Sequence, residues 1–509
     1  MTQGHVALVG AGPGHPGLLT LRGLELLRQA EVVVYDKLVP EAMLAHAPAG
    51  IERISVEEFG AHHAERYRPV QQRLVDLART GKRVVRLKGG DPSLFGRVGE
   101  EALALAEAGI PFEIVPGVTA ALGAAAYAGI PLTHRAHASA VAFVTGHEDP
   151  AKPETLLDWD SLARFPGVLV FYMGMSRLEK IVAALVERGK AARTPAAVVQ
   201  GATTGEQRTV VAPLADLPQA VRAAGLSAPA VVIIGPVVEL QASLDWFDKL
   251  PLRGRHILVT RPRDQASDLM DRLAALGAAP LLLPAVEVRP PSDWGPIDRV
   301  IARIGDYDWL VFTSVNGVSF FLDRLLALGK DLRALGRIRI AAIGPRTAER
   351  LAEYHLRADV VPQRYHSEDL AASLAPLLKA ADRVLLARAD RGRDILREAL
   401  HAKADLEQIA VYRQVDAIPE NHAALDQLRR GDIDVITFTS SNIARALLSR
   451  LDETSREHIH LGRTRLASIS PITSAAISEL GFPVAIEARA ATVDALVVAV
   501  VEACAAAPS

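Results

Sequence analysis

Three glycines in HVALVGAGPGHPGLLTL, Gly12, Gly14 and Gly17, have the spacing G-x-G-x-x-G, and the next apolar run, VVVYD, ends in Asp36. Such a loop, with an acid about 20 residues on, lets backbone approach a pyrophosphate while a carboxylate takes a ribose hydroxyl. Two prolines count against that chemistry here. Pro13 and Pro16 lie inside the loop, where each removes an N–H that a pyrophosphate would use and restricts the backbone around it. A second cluster, VVRLKGGDPSLFGRVGEE from Val84 to Glu101, offers more. Gly89 and Gly90 allow close approach of backbone to a ligand, Asp91 presents a carboxylate, and Arg97 precedes a helix opening with Glu100 and Glu101.

These residues need elements to hold them. Apolar runs alternate with helix-like ones along the chain: VALVG, VVVYD, RVVRLK, FEIVPG, VAFVTG, GVLVFYMG, AAVVQG and AVVIIGPVV in the first half. Such alternation predicts an α/β fold. The series stops at LQASLDWFDKLPLRGR, and RHILVTRP begins another, so we expect domains at 1–250 and 255–509. The second half repeats itself. GDYDWLVFTSVN and GDIDVITFTSSN align without a gap at a separation of 126 residues, from Gly305 to Gly431, and IAAIGPRTAERL answers LASISPITSAAI at the same separation. A repeat of that length implies paired lobes, not a solenoid.

Composition narrows the class of function. Lys plus Arg (57) nearly balance Asp plus Glu (59), so no nucleic-acid partner is expected. The single cysteine, Cys504, excludes a disulfide framework or a Cys₄ zinc site. No histidine pair has ligand spacing; His62, His63, His134 and His147 read as turn or polar-cleft residues, and no metal is expected. GVTAALGAAAYAGIPL is too short and too interrupted to span a bilayer, and Met1 to His5 lacks a basic leader, so a cytoplasmic location with no membrane partner is expected.

GAGPGHP, VVYDKLV, VVRLKGGDP with FGR, PGVTAA, AGIPLTHR, TGH and FYMG, in that order over about residues 4–250, resemble the tetrapyrrole methylase family, most closely its uroporphyrinogen-III C-methyltransferases. The resemblance implies a two-lobed methylase fold, S-adenosylmethionine as methyl donor, no metal, and a homodimer through this half. It places Pro13, Gly89, Gly90, Asp91, Leu94, Thr119, Ala120, Met173 and Ala202 at the donor, Asp36 as general base, and Arg97 with Arg135 on the carboxylates of the tetrapyrrole. The chemistry agrees: a pyrrole carbon must be aligned with a sulfonium methyl, and a proton must be accepted as charge moves. This chain departs from the family's pattern at His15, at Glu57 and Glu58 where a Gly-Lys pair is usual, and at Ala202 where glycine is usual.

From about residue 255, ILVTRP, FTSVNGV, AAIGPRTAERL, YHSEDLAASL, VYRQV, FTSSNIARAL and ATVDALVVAV resemble the uroporphyrinogen-III synthase family. The resemblance implies two α/β lobes, 255–288 with 414–509 and 289–413, and cyclising dehydration of hydroxymethylbilane with inversion of the last ring. The azafulvene formed on loss of hydroxide needs correct folding more than a nucleophile. A cleft of hydroxyls and amides is therefore expected, from Thr313, Ser314, Asn316, Ser367, Thr439, Ser440, Asn442, Ser470, Thr473 and Thr492, with Arg261 and Arg388 on carboxylate arms. Each of the ten has capping of the following helix as its alternative role. Tyr412 is either the proton donor to the leaving hydroxyl or a wedge between lobes. Two alternatives stand beside this pair of activities: another methyl acceptor, such as RNA or another corrinoid, and a second half that senses a ligand without turning it over.

Overall fold

The structure, a computed structural model, describes residues 4–48, 50–60, 63–148, 156–364, 366–392, 394–418 and 422–505, apart from the side chains of residues 63–67 and 264. His62 lies outside the described residues. The chain divides into two compact units: Met1–Ile257 with Asp268–Leu281 and Val501–Ser509, and Leu258–Ser267 with Leu282–Val500. Among the described residues no helix is long and apolar enough to cross a membrane.

The first unit begins with β1 (His5–Gly10), β2 (Val32–Tyr35), β3 (Glu52–Ser55), β4 (Arg83–Lys88) and β5 (Phe112–Val115), in the order β3-β2-β4-β1-β5. Every recorded pair in this sheet is parallel. That explains the unbroken apolar character of VALVG and VVVY: a parallel sheet covered on both faces buries side chains of both parities. Residues from the two faces fall into separate cores, one holding Val6, Leu8, Val32 and Leu74, the other Ala7, Val9, Leu27 and Val33. A second sheet follows, from β6 (Val141–Thr145), β7 (Val168–Tyr172), β8 (Pro195–Gln200), β9 (Arg208–Pro213) and β10 (Ala230–Ile234), in the order β6-β7-β10-β8-β9. Here β6 and β7 are parallel, while β10 is antiparallel to both β7 and β8.

The strands of the second half are β11 (His256–Val259), β12 (Ala279–Leu282), β13 (Val286–Arg289), β14 (Trp309–Phe312), β15 (Arg339–Ala342), β16 (Arg383–Ala389), β17 (Asp405–Asp416), β18 (Val435–Phe438), β19 (Arg465–Ser468) and β20 (Ile486–Glu487). One sheet runs β13-β17-β16-β14-β15. In another, β18, β19 and β20 pair in parallel, and Leu258–Thr260 lies beside β18 through hydrogen bonds from Thr260 Oγ1 to Thr437 O and from Thr437 Oγ1 to Leu258 O. The internal repeat has a structural counterpart. β14 and β18, β15 and β19, and the helices Val315–Ala327 and Ser441–Leu448 start at matching repeat positions, and β14–β15 pairs in parallel as β18–β19 does.

Candidate active sites

In the first unit the motif turns gather at one edge of the parallel sheet. GAGPG follows β1, Asp36 follows β2, GGDP follows β4 and PGVT follows β5, so all four leave the carboxyl ends of neighbouring strands, where open α/β sheets bind ligands. The glycines let these turns touch through their backbones. A Cβ on Gly117 would fall 2.2 Å from the carbonyl oxygen of Gly90, and one on Gly10 would fall 2.6 Å from Gly117 Cα. Gly12 and Gly90 exchange hydrogen bonds, N–H to O, at 3.2 and 2.8 Å. Asp91 belongs to this framework: its Oδ1 accepts from Ser93 N at 2.7 Å and its Oδ2 from Gly117 N at 2.9 Å. The carboxylate thus ties the GGDP turn to the PGVT turn.

Pro13 closes over the helix Ala120–Tyr127, where a Cβ on Gly123 would meet Pro13 Cγ at 2.6 Å. His15 donates from its backbone N–H to Thr203 Oγ1 at 3.0 Å, while its Nδ1 accepts from Gly17 N at 3.0 Å and so caps the short helix Pro16–Leu18. Ala202 sits between Gly201 and Thr203, whose φ angles are +59° and +71°. The left-handed residues of this loop are thus its neighbours, and the added methyl of Ala202 meets no such strain. Thr203, fully buried, was not foreseen as part of the site.

Asp36 stands at the same edge, half-buried, and its carboxylate accepts from Arg86 Nη2. Arg86 is only 4% exposed, and its Nε donates to Glu101 Oε1 at 3.0 Å; Lys88 Nζ donates to the same oxygen at 2.9 Å. The result is a buried chain of alternating charges, Asp36, Arg86, Glu101 and Lys88. Burial opposes the charge on Arg86, but Glu101 and Asp36 outweigh it and hold its pKa above the usual arginine value. Burial, reinforced by Arg86, lowers that of Lys88. Sequence reasoning missed this network. Its signal was two cations at alternate positions of the apolar strand RVVRLK, on one face.

The remaining candidates of this half lie around that edge. Arg97 is exposed, left-handed at φ +57°, and paired through Nε with Glu100 at 2.8 Å. Met173 is also left-handed, at φ +55°, and half exposed. Thr119 is buried, Ala120 begins its helix, and Leu94 is half-buried. Arg135 is exposed in a tight turn between His134 and Ala138. Glu57 and Glu58 have structural partners: Glu57 pairs with Lys37 at 3.0 Å, and Glu58 Oε1 accepts from Ser55 N at 2.9 Å in a capping box.

The second unit holds a cavity of about 200 Å³ whose lining includes Arg261, Ser314, Asn316, Tyr412, Thr439 and Ser440. Gln414, which sequence reasoning did not single out, lines it too. Tyr412 and Gln414 occupy alternate positions of β17 and each reaches one copy of the repeated FTSxN turn. Tyr412 Oη lies 3.0 Å from Ser314 Oγ, and Gln414 Oε1 accepts from Asn442 Nδ2 at 3.0 Å. Tyr412 is 4% exposed and stacks on Phe320 at 5.8 Å between centroids; burial pushes its pKa above the ordinary phenol value.

Other candidates fall outside that cavity's lining. Ser470 caps the helix Pro471–Glu479 at Thr473, and both side chains are buried. Thr492 Oγ1 accepts from Ala495 N at 3.2 Å, Ser367 is the first residue of the helix Ser367–Leu374, and Thr313 is half-buried between β14 and its helix. Arg388 is buried on β16, where desolvation lowers its pKa. Among the described residues no cluster of His, Cys, Asp and Glu could hold a metal ion.

Comparison with known proteins finds a different family in each half of the chain. Residues 5–218 match the family model of tetrapyrrole (corrin/porphyrin) methylases, and residues 267–498 that of uroporphyrinogen-III synthase HemD. A porphyrin biosynthesis protein HemD of Ruminiclostridium josui is 35% identical over 460 residues, 90% of this chain and 91% of that one. The uroporphyrinogen-III C-methyltransferase of Bacillus subtilis is 40% identical over 66% of this chain and 68% of its own. A siroheme synthase of Chromobacterium violaceum is 53% identical over 48% of this chain, and the match spans about half of that relative. Among solved structures, the uroporphyrin-III C-methyltransferase of Thermus thermophilus is 42% identical with 48% of this chain and 97% of that chain covered, at a TM-score of 0.40. The chain thus belongs to the family of enzymes that join a tetrapyrrole methyltransferase domain and a uroporphyrinogen-III synthase domain in one polypeptide of porphyrin biosynthesis.

Proposed function

We propose that residues 255–509 cyclise hydroxymethylbilane to uroporphyrinogen III with inversion of ring D, and that residues 1–250 methylate this product at C2 and C7 to give precorrin-2, on the branch to sirohaem and cobalamin. The observation that carries the methylase reading is the placement of Asp36 at the same sheet edge as the glycine turns. S-adenosylmethionine, when bound, supplies a methyl group on a sulfonium centre. The residues fit such a donor, because the exposed Gly89 presents backbone with no side chain over it and the other positions assigned to the donor, Pro13, Thr119, Ala120, Met173 and Ala202, are small or uncharged. Asp36 accepts the proton that the pyrrole loses as its β-carbon is methylated, and Arg86 keeps that carboxylate oriented. Arg97 and Arg135, both exposed, are suited to substrate carboxylates.

For the synthase half, the cavity's hydroxyls and amides support a role in holding the open tetrapyrrole folded. Arg261 takes a carboxylate arm, and Tyr412 donates a proton to the departing hydroxyl as the pyrrole nitrogen's lone pair expels it. The chain works in the cytoplasm as a homodimer through the methylase half, a reading favoured by the exposed apolar side chains of Leu103, Phe112 and Ile114.

Anaerobic incubation of the whole chain with hydroxymethylbilane, with and without S-adenosylmethionine, tests both halves. The type III isomer without the donor and a gain of two methyl groups with it are expected. Type I isomer alone overturns the synthase assignment, and type III without methyl gain overturns the methylase assignment.

A further inference from the structure

Three motif segments of the methylase half converge on one side chain that none of the preceding assignments uses. Tyr172, the second residue of FYMG, ends β7 and is half-buried. Its hydroxyl oxygen lies 2.7 Å from Thr119 Oγ1 and accepts from Ala121 N at 3.0 Å, both in the PGVTAA segment. Its ring packs against Phe95 of FGR, with centroids 5.1 Å apart.

The local geometry is unusual for a threonine N-cap. Thr119 has the extended backbone of an N-cap residue, yet its side chain makes no capping bond to the helix Ala120–Tyr127. The N–H that would ordinarily be satisfied from the N-cap side chain, that of Ala121, goes to the phenol instead. The hydroxyls of Tyr172 and Thr119 share a second hydrogen bond, for which either oxygen can be the donor. One residue further, Met173 is left-handed at φ +55°, as is Phe95 at φ +57°, conformations that persist in L residues only where surrounding contacts hold them. Tyr172 touches or adjoins both.

The geometry points to Tyr172 as the positioning residue of the methyl-donor site: its hydroxyl caps the Ala120 helix in place of Thr119 and locks the PGVTA turn to the Met173 turn in the arrangement that S-adenosylmethionine requires. The inference rests on the donor reading given above. It assigns Tyr172 no contact with the reacting atoms; it acts through Thr119, Ala120 and Met173. Removing the hydroxyl therefore loosens donor binding and leaves the chemical step alone.

The test is calorimetric titration of the full chain with S-adenosylhomocysteine, paired with initial rates of uroporphyrinogen III methylation, for wild type and Tyr172→Phe. The Kd of the variant is expected to rise about fivefold, the worth of one ordinary hydrogen bond, with kcat at saturating donor within about twofold of wild type and the KM for uroporphyrinogen III unchanged. A fall in kcat with unchanged donor affinity, or no change in either, overturns the inference while leaving the donor reading intact. A wild-type chain that binds neither S-adenosylhomocysteine nor S-adenosylmethionine overturns the donor reading and this inference with it. Should Tyr172→Phe fail to fold, amide hydrogen exchange of the wild-type chain reads the same contact: an Ala121 N–H that is protected, and more so with S-adenosylhomocysteine bound, supports the inference, and one that is unprotected or unchanged on binding overturns it.

Discussion

Arg86 reaches Asp36 from a guanidinium that is almost wholly buried, and the same group holds Glu101 with its Nε at 3.0 Å. One side chain on β4 thus links the carboxylate proposed as base to the first turn of the helix Val98–Glu107. Arg86→Leu should cost about 3 to 5 kcal/mol in urea unfolding of the methylase half, because it removes the buried cation that Asp36 and Glu101 share and leaves Glu101 with Lys88 alone. Arg86→Lys keeps a charge but loses the planar fork, so it should retain more stability than Arg86→Leu and still slow methylation. Equal unfolding midpoints for wild type and Arg86→Leu would remove the network from the account of stability.

Asp36→Asn should lower the methylation rate by about 10²- to 10⁴-fold, the usual contribution of a positioned general base, while cyclisation of hydroxymethylbilane proceeds at the wild-type rate. The two activities, measured on one preparation, control for misfolding. Undiminished methylation would sink the base assignment.

Tyr412→Phe should slow ring closure by less than about tenfold if holding the substrate folded contributes more than acid catalysis. The pH dependence follows from the direction of its shift. Burial raises the pKa of Tyr412 above the usual phenol value, so the proton stays on below and up to that value and is lost only at higher pH. The ratio of wild-type to Tyr412→Phe rates should therefore be flat from about pH 6 to 9. A ratio that falls within that window would mean that the tyrosine ionises there.

Ser314 and Ser440 are equivalent in the internal repeat and cap their helices at Gly317 N and Ile443 N with nearly the same backbone, φ −166° and −163°. Only Ser314 also bonds Tyr412. Ser440→Ala should cost about 1 kcal/mol as a lost cap, and Ser314→Ala roughly a further 1 kcal/mol as the buried phenol loses its partner. Denaturant titration of the two variants side by side reads the difference; equal losses would show that the Tyr412 contact contributes nothing net.

Much of the architecture was legible in the chain because its signals are local. Eight apolar runs in the first half correspond to β1, β2, β4, β5, β6, β7, β8 and β10, since strands buried in a sheet carry β-branched and aliphatic residues at consecutive positions. The two strands not foreseen there show the limit of that signal. β3, ERIS, has one buried residue and two charged ones, and β9, RTVVAP, has none buried, so neither stands out as a buried apolar run. Their strand character comes from a neighbour, not from their own pattern.

What the sequence by itself determined, then, was the α/β class, the internal repeat, and the set of residues able to do chemistry, because composition, periodicity and motif order are properties of the chain. The tertiary structure alone decided which of those residues meet. Arg86, Lys88 and Glu101 became one network through contacts 13 and 15 residues apart, Tyr172 took over a cap 51 residues away, and Ser314 but not Ser470 came to line a cavity with Tyr412. A hydroxyl after a strand reads the same whether it caps a helix, faces a ligand or does both. Only the path of the chain settles which groups come within the roughly 3 Å at which a hydrogen bond forms.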